Sequence, residues 1–123
     1  MGTLNQKLSK QQVPVDSTVF DTVHFDRQTF GETALQQEIL QLFLTQLDDT
    51  RRALAKPGSS AGWRYLTHTL RGAAAAIGAT GLTVLVDNWE QMEVPTDAER
   101  HVVLAAFDAA VGRFKTEASK LAL

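Results

Sequence analysis

Every apolar pattern in this chain repeats at three and four residues, and no stretch alternates with period two. Helices are therefore the only regular structure it can bury well. The clearest start signal is Thr96-x-x-Glu99, a capping box in which hydroxyl and carboxylate each accept from the other residue's backbone N–H. After it, Val103, Leu104, Phe107, Ala110, Val111, Phe114, Ala118 and Leu121 fall on one side of a long helix. Thr33 to Gln36 has the same spacing, and predicts a second long helix ending near Lys56, just before Pro57-Gly58. Ser59 or Ser60 opens a third, running to about Gly78. Thr80 caps a fourth, striped by Leu82, Leu85, Val86 and Trp89 and broken by Val94-Pro95. Upstream, Asp26 can cap a short helix that stops at Gly31. The expected fold is all-α: an antiparallel up-down four-helix bundle with a short N-terminal capping helix. Residues 1–20 have no helical period and read as a flexible lead-in, with Val19 and Phe20 laid against the bundle formed by residues 21–123.

Composition narrows the function. A chain of 123 residues supports one domain with a workable core. A net charge of −2 with no basic run gives no reason to expect nucleic acid as a partner. Without cysteine there are no disulfides or thiolate metal sites, and the three histidines are scattered. No Glu-x-x-His pair suits a di-iron bundle, and no glycine-rich loop suits a nucleotide. No segment is apolar enough to span a membrane, and the first residues lack the apolar core of a secretory signal. Gln6 stands where a myristoylation signal has Ser or Thr, so the expectation is a cytoplasmic monomer. Asp48-Asp49 and the stretch from Glu90 to Glu93 read as solvated helix faces, and His24 and His101 as solvated histidines. Trp63 and Trp89 read as core or rim aromatics.

The third helix carries the chemistry. With Leu66 as zero on a wheel turning about 100° per residue, Leu70, Ala73, Ala74 and Ile77 lie within about 80°. His68 falls about 200° round, on the outward side. Arg71 follows it by one turn, and Gly72 sits at i+4, where a side chain would crowd the ring. Glycine inside a helix costs about 1 kcal/mol relative to alanine, which this sequence uses freely on both sides. Gly72 lies nearly opposite the core stripe, so clearance for something arriving at His68 explains it better than internal packing. Ala61, Ala75 and Ala79 share the histidine side by the same count, making the outward face small and apolar. Such a face suits a docking partner.

The run His68-x-Leu70-Arg71-Gly72-Ala73-Ala74-x-x-Ile77-Gly78 resembles the signature of the histidine-containing phosphotransfer domain, H-x-L-K-G-[SA]-[SA]-x-x-hydrophobic-G. Phe25 to Gly31 and Leu35 to Leu44 are similar to the short capping helix and long second helix of that family, so the likeness extends over roughly residues 23–120. Arg71 stands where lysine is commoner, replacing a point charge with a planar fork.

A neutral imidazole is a good nucleophile near pH 7, and a phosphoryl group on it carries strong negative charge that Arg71 can meet. The resemblance implies that His68 is the phosphoacceptor, through Nε2, with Arg71 steadying the phosphoryl group and Gly72 giving clearance. Arg64, Tyr65, Ala75 and Ala79 would complete the partner surface. The implied partners are response-regulator receiver domains and a hybrid sensor histidine kinase. The receiver's aspartate and bound Mg²⁺ supply the remaining chemistry, so this chain needs no cofactor and has no kinase activity of its own. Two alternatives stay open: a non-catalytic helical adaptor docking through the Ala/Gly face around His68, and a chemotaxis-kinase phosphoacceptor domain.

Overall fold

The computed structural model describes residues 14–121 and residue 123. These form five helices, and no strand occurs among the described residues. They are α1 (Thr22–Gln28), α2 (Thr33–Leu54), α3 (Ser60–Ile77), α4 (Thr80–Glu90) and α5 (Asp97–Ala118). Among the four longer helices each packs on the next in chain order and α5 returns to α2, while α1 lies on α3.

The capping chemistry is partly as expected. Thr96 and Glu99 form the full capping box at α5, and the Ser59 hydroxyl accepts from Gly62 N–H at the start of α3. The other three starts differ. Asp21, not Asp26, caps α1 by accepting from His24 N–H. Glu32 precedes α2 with no side-chain cap, and Thr33 is its first residue. Gln36 instead turns inward, donating to Thr29 Oγ1 at 3.0 Å and Asp26 Oδ1 at 3.1 Å. Ala79 stands at the N-cap of α4, and Thr80 is inside the helix, its hydroxyl donating to the Ser17 carbonyl.

Two aromatic groups fill the interior. Phe20, Phe25, Phe43 and Phe114 meet with ring centroids 4.8–5.3 Å apart. Two turns away along α5, Phe107 lies beside Trp89, which contacts Trp63. Both tryptophans are core, and the Trp63 indole N–H reaches the Trp89 and Met92 carbonyls at the end of α4. Phe20 is fully buried, so the core begins before residue 21. Of the expected lead-in, residues 1–13 lie outside the described residues, and Val15 and Phe20 contribute packing.

Glu117 holds that segment. Buried on α5, it accepts from Asp16 N–H at 2.6 Å and from Lys120 Nζ at 2.8 Å. The Lys120 bond and then the Asp16 N–H hold its carboxyl below the usual carboxylate range. A depressed acid stabilises the fold above its unfolded value and loses that contribution as pH falls towards the folded one. Stability should therefore decline below about pH 4.5, and Glu117→Gln should flatten this acid limb in urea titrations run at several pH values. An unchanged limb would assign it to other carboxylates, Asp108 beside Arg51 first among them.

Candidate functional site

The turn between α3 and α4 fixes the site. Gly78 has φ 87°, and a Cβ there would stand 2.7 Å from the Asp21 carbonyl oxygen. Only glycine fits. Ala79 N–H donates to Ala74 O and Gly78 N–H to Ala75 O, the paired bonds of a Schellman motif. With only Gly78 and Ala79 between them, α3 and α4 pack as neighbours. Residues one turn apart on one helix must then meet residues one turn apart on the other, in reverse order.

They do so at His68. Its Nδ1 is 3.7 Å from Oε1 of Glu90, just beyond hydrogen-bond distance, and Arg71 Nε pairs with Asp87 Oδ1 one turn along. The imidazole is 81% exposed whereas the Glu90 side chain is 23% exposed. Glu90 Oε1 is buried and has no hydrogen-bond partner among the described residues. Among the described residues the imidazole is the one basic group within 4.0 Å of that oxygen. Glu90 is thus not part of a solvated face, as its place in the Glu90–Glu93 stretch suggests, but a wall of the His68 site. Its signal in the sequence was the register across the Gly78 turn.

The core side of α3 is Trp63, Thr67, Leu70, Ala74 and Ile77, with Leu66 and Ala73 only partly buried. This stripe is rotated about 60° from Leu66 on the wheel, and His68 remains well off it. Arg64, Tyr65, Gly72 and Ala75 are exposed around His68, and the Arg71 side chain is 45% exposed. A Cβ added at Gly72 would meet nothing within 4 Å, so no internal packing requires glycine there. Ala79 does not belong to this face. The left-handed Gly78 ends the helical count, and Ala79 is fully buried under α4.

The other histidines lie apart. His24 is held by its Nε2–H donating to the Ala76 carbonyl at 3.0 Å, a structural bond and not simple solvation. His101 is exposed on the first turns of α5. Among the described residues no cluster of three His, Cys, Asp or Glu could hold a metal ion, and no helix is long and apolar enough to cross a membrane.

Gly72 lends itself to a test that separates packing from clearance. Gly72→Ala should raise stability by up to about 1 kcal/mol, and Gly72→Gln should leave the fold intact while obstructing His68. Unfolding of Gly72→Ala on a melting curve would restore the packing explanation. Against this geometry, comparison with protein-family models, curated proteins and solved structures finds no match to the chain.

Proposed function

We propose that this chain is a histidine phosphocarrier, built as an antiparallel up-down four-helix bundle, that relays phosphoryl groups between receiver domains of a two-component pathway. The observation that supports it most is the asymmetry of the His68 ring: Nδ1 faces a shielded carboxylate while the imidazole is 81% exposed. A carboxylate beside Nδ1 favours the tautomer with its proton there, which leaves the lone pair on Nε2.

Phosphoryl uptake then proceeds by attack of the Nε2 lone pair on phosphorus. The P–O bond of the receiver's phosphoaspartate breaks, and the aspartate carboxylate leaves with the electron pair. The Nδ1 proton stays on the ring, and Glu90 balances the positive charge that develops. Transfer onward is the reverse: the N–P bond breaks, the electron pair returns to Nε2, and a second receiver's aspartate takes the phosphoryl group. Mg²⁺ belongs to the receiver in this scheme, so His68 and its neighbours supply only nucleophile, tautomer control and access. The open surface at Gly72 and Ala75 lets the partner's active site approach, and Arg64 and Arg71 steer its acidic rim. A sensor kinase carrying a receiver is the natural upstream partner, and the cytoplasm the natural compartment.

Glu90→Ala should slow uptake from a phosphorylated receiver by about fivefold, corresponding to roughly 1 kcal/mol for a partly solvated charge contact. Single-turnover kinetics would measure it. An unchanged rate would remove Glu90 from the mechanism, and absence of acid-labile, base-stable label on the unaltered protein would remove the mechanism itself.

A further inference from the structure

His68 and Arg71 lie one turn apart on α3, and Asp87 and Glu90 one turn apart on α4. The antiparallel register pairs them as His68 with Glu90 and Arg71 with Asp87. In the unphosphorylated protein the Arg71 charge is therefore already answered. A phosphoryl group on Nε2 brings about −1.5 to −2 charges at pH 7 to a rim that holds the Asp87 and Glu90 carboxylates and the Arg71 guanidinium, with exposed Arg64 one turn back on α3. Phosphoryl group and Asp87 then compete for the same cation. Both side chains of the existing pair are close to half exposed, 45% and 49%, so the guanidinium can leave Asp87 at small cost.

Resting on the phosphocarrier reading above, we propose that Asp87 is a positioning residue that holds Arg71 back from the phosphoryl group on His68 and so keeps that group ready to be passed on. Arg71 is neither a permanent phosphate clamp nor a mere surface charge. It is shared between the helix that carries the phosphoryl group and the helix behind it, and Asp87 sets the division.

The test loads the full chain with potassium phosphoramidate, a donor that needs no partner protein. Nε2 bonds to phosphorus as the donor's P–N bond breaks, and ammonia leaves with the electron pair. ³¹P NMR then follows the titration of the phosphoryl group itself. A nearby guanidinium favours its dianion, so releasing Arg71 should lower its proton affinity. Asp87→Asn should lower that affinity about two- to fivefold, Arg71→Ala should raise it, and Asp87→Glu should restore the original midpoint. With Arg71→Ala already present, Asp87→Asn should lose most of its effect. An unchanged midpoint in Asp87→Asn overturns the proposal. So does a shift of full size in the Arg71→Ala background, because Asp87 would then act on the phosphoryl group directly. If His68 of the unaltered protein takes no phosphoryl group from the donor, the phosphocarrier reading fails and the role of Asp87 falls with it.

Discussion

His68→Gln should carry no phosphoryl label from a phosphorylated receiver, with a far-UV spectrum and melting temperature close to those of the parent chain. The imidazole is 81% exposed and its 3.7 Å approach to Glu90 is too long for a hydrogen bond. Substitution at such a surface position costs within about 0.5 kcal/mol, so lost labelling would report lost chemistry and not a lost fold. His24 and His101 provide internal controls. The first is bonded to the Ala76 carbonyl through Nε2 and the second stands exposed on α5. Label retained by His68→Gln would place the acceptor elsewhere.

The largest effect on stability should come from Phe20→Ala. Phe20 is completely buried, with its ring centroid 5.3 Å from that of Phe25 and 4.8 Å from that of Phe114. Removing a phenyl ring from such a site costs about 3–5 kcal/mol, a large share of the roughly 5–15 kcal/mol that holds a domain folded. The segment is also tied by Asp21 N–H to the Gly78 carbonyl at 2.8 Å, next to the turn that sets the α3–α4 register. Loss of Phe20 should therefore loosen the His68–Glu90 approach as well as the core. Urea denaturation would measure the loss. A cost below about 1 kcal/mol would mean that the core is complete without this segment.

The helical character and the His68 face were legible because they depend on periodicity, which survives without knowledge of neighbours. Thr96 and Glu99 were legible for the same reason: their partners lie within one turn. Thr33 and Gln36 have the same spacing, yet the Gln36 amide finds Thr29 and Asp26 of the preceding segment, and no local pattern announces that competition. Thr67 is buried on α3 although polar, since its hydroxyl is satisfied by the Arg64 carbonyl. That shifts the core stripe away from Leu66. Ala79 falls off the His68 face because Gly78, at φ 87°, ends the helical count. Glu90 and Asp87 are the instructive omissions. Each sits on a helix whose own pattern marks it as solvent-facing, and each meets its partner on α3 only when the two-residue turn lays α4 antiparallel to α3.

Under the proposed function, phosphoryl groups reside on one ring nitrogen of one histidine. Incubating the ¹⁵N-labelled protein with a phosphorylated receiver domain and Mg²⁺, then recording long-range ¹H–¹⁵N correlations of the imidazoles, observes that nitrogen directly. The expected result is a phosphorus-coupled Nε2 on His68 alone, with His24 and His101 unchanged. A phosphorylated Nδ1 on His68, or all three rings unaltered while the receiver loses its phosphate only to water, would contradict it.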